Sequence, residues 1–220
     1  MYRSVPNQLT MLRLVLAAAF FLVLNQYRFY SETPGWILPI AIALFVLAAL
    51  TDLLDGYLAR RWEVESTFGR IMDPFCDKVL VIGAFIFLAG PRFVDPGEVP
   101  EVPQTMQQYL ELNMATGVYP WMVVVILARE LLVTGVRGEM ENTGVAFGAN
   151  IFGKAKMLLQ SITVPVVLGI VYWLDPTSPA ERSPWLTWPR DLLVYATVLA
   201  TALSGVPYIT GAVRAASGKR

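Results

Sequence analysis

Six long apolar runs, separated by shorter polar stretches, decide what kind of fold is open to this chain. They lie at about 9–26, 35–60, 70–90, 119–140, 152–173 and 191–212. Most approach the roughly 20 residues that a helix needs to cross hydrocarbon. A segment in hydrocarbon has no water to satisfy its N–H and C=O groups, so it must close those bonds internally, as an α-helix does. The third run has only about a dozen apolar residues after Lys78, short of the roughly 20-residue crossing length. It reaches full length only by starting near Arg70, which carries Asp73 and Asp77 into the membrane's edge. Charged residues make up 15% of the chain, against about one quarter in a soluble domain. A soluble core would also require polar faces between the runs. The expectation is an all-α, polytopic membrane protein. It is a single domain over residues 1–220, with six transmembrane helices around a cytosol-facing cavity.

Lys and Arg orient those helices. Placing the N-terminus, the 60–70 turn, the 137–156 turn and the C-terminus on one side leaves only Arg28, Arg92, Arg182 and Arg190 on the other. All the remaining cations fall on the first side, which is therefore expected to be cytosolic. An Ala17-x-Ala19 triplet imitates a signal-peptidase site, but it lies inside the first run, so an uncleaved first helix is expected. The 91–118 and 174–190 stretches are read as loops on the outer side, with a short interfacial helix around Thr105–Leu112. Gly144 and Gly148 form a G-x-x-x-G in a cytosolic turn, a weak dimerisation signal there.

Composition removes several chemistries. There is no histidine, so His-based catalysis and His metal sites are excluded. The single cysteine, Cys76, rules out an internal disulfide and thiolate zinc clusters, and is read as apolar filler. The net charge is zero and no basic stripe points to nucleic acid.

What remains is a concentration of acid. Residues 52–77 read D-L-L-D-G-Y-L-A-R-R-W-E-V-E-S-T-F-G-R-I-M-D-P-F-C-D. On a helix Asp52, Asp55, Gly56 and Ala59 fall at i, i+3, i+4 and i+7, on one face. On the next helix Gly69, Asp73 and Asp77 are spaced by four. A short connection makes the two helices antiparallel neighbours, so both acidic faces can converge on one cavity. Four clustered carboxylates beside hydrocarbon repel one another and are costly, unless cations offset them. All-oxygen ligands suit Mg²⁺ or Mn²⁺. Four carboxylates are more than one Mg²⁺ takes, so two divalent cations are expected, a count that suits phosphoryl transfer. Gly56, Ala59 and Gly69 leave room for a ligand, and Arg60 offers a planar fork for phosphate. The competing roles are helix packing for the small residues, capping for single aspartates and membrane anchoring for Arg60 and Arg61.

The arrangement D-x-x-D-G-x-x-A-R, eight residues, then G-x-x-x-D-x-x-x-D resembles the signature of the CDP-alcohol phosphotransferases. Asp52, Asp55, Gly56, Ala59, Arg60, Gly69, Asp73 and Asp77 match its fixed positions, and the six-helix layout extends the resemblance over nearly the whole chain. The resemblance implies that the four aspartates hold two divalent metals on the pyrophosphate of a CDP-linked lipid. It implies Asp77 as the base that deprotonates the acceptor hydroxyl. It also implies that Gly56, Ala59, Arg60 and Gly69 line the cytidine and phosphate pocket. Asn7, Thr10 and Arg13, in P-N-Q-L-T-M-L-R, join the CDP-lipid site on the same basis. A homodimer in a bacterial inner or plasma membrane follows from the resemblance alone.

Further cations surround the signature. Arg129 and Glu130 interrupt the fourth run, Arg137 follows two turns later, and Lys154 and Lys156 open the fifth. So many cations exceed what a neutral alcohol needs, and Arg129, Arg137, Lys154 and Lys156 are expected to bind an acceptor that carries its own phosphate. The patterns P-N-x-L-T-x-x-R, D-P-x-x-D-K-x-L, A-R-E-L-L-V-T-G-V-R and G-K-A-K resemble the branch of the family that joins CDP-diacylglycerol to glycerol 3-phosphate. The stretch R-G-E-M-E-N-T-G-V-A-F-G-A-N departs from that branch and leaves inositol phosphate, serine or another alcohol as alternatives. Structural pairing of Arg129 with Glu130, and headgroup contacts for the lysines, compete with these roles. A cation transporter is the rival from another class, but its ion site would lie near the midplane, in repeated halves. Here the acids gather at one end and no repeat occurs.

Overall fold

The computed structural model describes residues 5–62, 67–95, 113–142, 151–178 and 184–216. Among these the chain is helical, with no strand beyond an isolated Val94–Met114 bridge. The helices are α1 (Val5–Leu24), α2 (Ile37–Trp62), α3 (Thr67–Leu88), α4 (Pro120–Asn142), α5 (Ile151–Leu174), α6 (Thr187–Leu203) and α7 (Val206–Ala216). Each of the six apolar runs falls on helix. Three segments, Ile37–Leu54, Ala155–Leu174 and Pro184–Val213, are long and apolar enough to cross a membrane, and Gln8–Leu24 and Lys78–Leu88 are shorter apolar helices. The expected helix at Thr105–Leu112 and the Gly144–Gly148 pair lie outside the described residues.

The last run is not one helix. Its helix stops at Leu203 and restarts at Val206. Pro207 has no N–H to offer the carbonyl of Leu203, so the ladder fails one turn upstream of the proline. The amide of Tyr208 turns to the Gly205 carbonyl, 3.1 Å away. The carbonyl of Ser204 is thereby released from the helix ladder.

Helix packing follows helical register. On α1 the buried stripe is Thr10, Arg13, Ala17, Phe20 and Leu24; on α2 it is Leu38, Ala41, Phe45 and Ala48, with Asp52 next in phase. These two stripes face each other, Phe20 meeting Phe45 edge-on at 5.4 Å between ring centroids. α3 adds Cys76, Leu80, Ala84 and Leu88 from the other flank of α1. Gly83 lets α3 approach α1, since a Cβ there would meet the Phe21 ring at 2.5 Å. α5 packs against α2, α3 and α6, and α4 against α3, α6 and α7. α5 and α6 are joined by a polar seam: Thr163 and Thr197 share a 2.7 Å hydroxyl contact, and Gln160 donates to Thr201 at 3.0 Å.

The end opposite the aspartates is laced shut among the described residues. Tyr27 donates to Asp175 at 2.6 Å, and Thr177 donates to the Ser31 carbonyl at 3.0 Å. Arg92 donates to the Asn25 carbonyl, and Arg190 to that of Ala115 at 2.8 Å. Gly117 turns the chain with φ +67, where a side chain would also strike Arg190 and Asp191. Burial, first, and then the Asp175 hydrogen bond and charge push the Tyr27 phenol well above its usual range.

Candidate functional site

The buried stripes of α1 and α2 end in charge. Arg13 is 1% exposed and its Nη1 lies 2.7 Å from Oδ1 of Asp52, whose side chain is 31% exposed. Arg13 is buried because the stripe that carries Ala17 and Phe20 into the core carries it too. Asp52 is in phase with Phe45 and Ala48 for the same reason. A guanidinium and a carboxylate at this distance offset each other's desolvation.

Beneath the pair lies a cavity of about 250 Å³ between α1, α2, α3 and α5. Arg13 and Asp52 form its polar wall. Phe45, Ala48, Ala49, Leu80 and Val81 form most of the rest, with Ser161 from α5. Small side chains at 48, 49 and 161 create the space. Phe45 and Asp52 are separated by two turns of α2, about 10 Å along the axis. Leu53 of α2 and Leu158 of α5 also line it and are 69% and 63% exposed.

α2 remains helical through Trp62 and α3 starts at Thr67, so Asp52, Asp55, Gly56 and Ala59 keep the i, i+3, i+4, i+7 register and Asp73 and Asp77 keep theirs. The side chains of Asn7, Asp55, Ala59, Arg60, Asp73, Asp77 and Lys154, and the surroundings of Gly56 and Gly69, lie outside what is described. Among the described residues no three metal-ligating side chains come together. The donor chemistry of Asp52 does suit a hard cation. A carboxylate offers about four lone-pair positions, so its contact with Arg13 leaves capacity for a metal.

A second charged group lies in the same half of the bundle. Glu130 of α4 is 8% exposed, and its Oε1 accepts from Arg129 Nη1 at 2.8 Å and from Lys156 of α5. Arg129 also reaches the released Ser204 carbonyl at 3.5 Å, and its guanidinium lies 5.9 Å from the centre of the Tyr208 ring. Lys78, next to Asp77 in the chain, donates to Thr134 at 2.5 Å, and Thr134 donates to the Glu130 carbonyl at 2.7 Å. α3 is thus tied to α4. Thr10 is buried near the start of α1, and Arg137 lies exposed two turns beyond Arg129. Of the expected site residues, the structure brings Arg13 to Asp52 and Arg129 to Lys156. Sequence reading did not assign site roles to Glu130, Ser161, Ser204 or Tyr208. The advance signals were a glutamate inside an apolar run, costly unless paired, with Arg129 beside it as a candidate partner, and Pro207 after Ser204.

A family model described as CDP-alcohol phosphatidyltransferase matches residues 3–203. A Bacillus subtilis protein named CDP-diacylglycerol–glycerol-3-phosphate 3-phosphatidyltransferase is 29% identical over 214 residues, 94% of each chain. One of the same name from Cereibacter sphaeroides is 32% identical over 167 residues, 74% of this chain and 62% of its own. A Mycobacterium tuberculosis protein named as a probable phosphatidylglycerophosphate synthase is 30% identical over 220 residues, 99% of this chain and 85% of its own.

Proposed function

The chain belongs to the CDP-alcohol phosphatidyltransferase family, and we propose that it transfers the phosphatidyl group of CDP-diacylglycerol to glycerol 3-phosphate, releasing CMP. The observation that carries this reading is the cavity under Arg13 and Asp52. It is polar at one end, apolar along about 10 Å of α2, and bordered by the exposed Leu53 and Leu158. A donor with a charged head and acyl chains needs all three features.

The chain crosses a bacterial inner membrane six times, with the aspartates at the cytosolic face. Asp52, Asp55, Asp73 and Asp77 would hold two divalent cations, Mg²⁺ or Mn²⁺, which would supply positive charge to offset the pyrophosphate and favour ionisation of the attacking hydroxyl. Gly56, Ala59 and Gly69 leave space for the nucleotide, and Arg60, with Asn7, Thr10 and Arg13, contacts or supports the CDP head. Asp77 takes the proton of the acceptor hydroxyl. The acceptor oxygen bonds to the β-phosphorus, the bond from that phosphorus to the bridging oxygen breaks, and CMP leaves with the electron pair. A loose transition state asks the protein for position and charge rather than covalent help. Arg129 and Lys156 take the acceptor's phosphate, with Arg137 and Lys154 nearer the rim. A homodimer is part of the same proposal.

The test is CMP release by the purified protein with Mg²⁺, CDP-diacylglycerol and a panel of alcohols. Release with glycerol 3-phosphate, and not with inositol phosphate or serine, is expected. Release only with another alcohol moves the acceptor assignment, and release with none removes the enzyme reading.

A further inference from the structure

Among the described residues, Glu130 Oε1 is shared by two buried cations, Arg129 and Lys156. The side chains of Arg129 and Lys156 are 8% and 9% exposed. Arg129 is fixed from several directions: Glu130 holds Nη1, the Ser204 carbonyl faces Nη2, and the guanidinium carbon lies over the Tyr208 ring. Its Nε is buried and has no hydrogen-bond partner among the described residues. A held guanidinium with an unsatisfied edge is prepared for an anion that is not part of the protein.

We propose that Glu130 is a positioning residue for the acceptor. Through one oxygen it holds Arg129 of α4 beside Lys156 of α5, and the α6–α7 break, by way of the Ser204 carbonyl and Tyr208, locks the Arg129 plane so that both cations meet one phosphate. The inference rests on the assignment of Arg129 and Lys156 to the acceptor phosphate made above. Glu130 itself touches no substrate; it acts through its two partners.

Coulomb attraction and positioning make opposite demands here. Glu130→Gln removes a negative charge beside the anion site, so charge alone lowers KM for glycerol 3-phosphate. Loss of alignment raises it, because two buried cations without a shared carboxylate repel and separate. Misplacement of a binding group costs up to about a hundredfold. The sign of the KM change therefore separates the two roles.

The experiment is steady-state CMP release in mixed micelles by wild type, Glu130→Gln, Glu130→Asp, Tyr208→Leu and Arg129→Gln. We expect Glu130→Gln to raise KM for glycerol 3-phosphate about tenfold or more, with kcat and KM for CDP-diacylglycerol changing far less. Glu130→Asp, which keeps the charge, is expected to fall between Glu130→Gln and wild type, and Tyr208→Leu to raise the same KM. An unchanged or lowered acceptor KM in Glu130→Gln overturns the inference, as does a parallel change in both substrates' KM. If Glu130→Gln does not fold, Glu130→Asp and Tyr208→Leu decide by the same criterion. If Arg129→Gln leaves the acceptor KM unchanged, the phosphate assignment itself fails. If Arg129→Gln raises it and Glu130→Gln does not, only the positioning role fails.

Discussion

Arg13 of α1 and Asp52 of α2 meet at 2.7 Å at the end of two facing buried stripes, and their contact forms the polar wall of the cavity. The same helical phase that packs Phe20 against Phe45 brings them together. Core and site are thus one construction, and a change at the pair affects both.

Arg13→Met tests this. The variant removes the guanidinium and keeps most of the side chain's bulk. Breaking a fully buried pair costs roughly 3–5 kcal/mol, and Asp52 retains some solvent, so a loss of about 2 kcal/mol is expected. Thermal melting in detergent measures it. CMP release should fall by at least about a hundredfold if, as proposed, the same contact positions the donor head.

Asp77→Asn separates binding from chemistry. The amide cannot accept the acceptor's proton, so turnover should fall by about a hundredfold or more. Some CDP-diacylglycerol binding should persist, read by equilibrium binding of a labelled donor. Retained turnover rejects the base role. Chelation by EDTA should abolish CMP release in wild type, and added Mg²⁺ or Mn²⁺ should restore it.

Ser161→Phe tests the apolar length of the cavity. Ser161 faces it from α5, and a phenyl ring there fills much of the space between Phe45 and Leu80. KM for CDP-diacylglycerol should rise about tenfold, the cost of displacing one or two methylenes' worth of burial. KM for glycerol 3-phosphate should stay nearly constant. Equal changes in both would place the donor's chains elsewhere.

Tyr27 provides a pH signature at the far end. Its phenol is raised in the folded protein, by burial first and by Asp175 second. A raised acid contributes its full stability below the unfolded value, about pH 10 for tyrosine. That contribution is lost as pH rises further, because only the unfolded chain ionises readily. Tyr27→Phe should cost about 1 kcal/mol at neutral pH, the net worth of one hydrogen bond. It should also flatten the decline of melting temperature between pH 9 and 11, relative to wild type. An equal alkaline decline in both proteins would show that another group governs it.

What could be read from the chain in advance was local. Apolar runs located the helices, and the spacing of Asp52 from Asp55, and of Asp73 from Asp77, set their register on α2 and α3. The starts of α1 and α6 were missed by about four residues, since Val5 and Thr187 precede the strongly apolar stretches. The break at Ser204–Gly205 was also missed, although Pro207 marks it. Pairings between distant segments were not legible. Arg13 with Asp52, Lys156 with Glu130 and Tyr27 with Asp175 depend on which stripes face each other, and no local pattern encodes that choice. Glu130 was visible as an oddity, and only its partners on α5 and beyond explain why the chain tolerates it.

The exposed Leu53 and Leu158 beside the cavity have a consequence for what the protein senses. On the proposed function, a lipid donor passing between them would arrive by diffusion in two dimensions, within a leaflet, and a lipid product would depart along the same plane without passing through water. The quantity that saturates such a catalyst is the donor's mole fraction in the surface, not its amount per volume. Dilution by inert lipid would then slow it as surely as scarcity does, and membrane composition itself would set its pace.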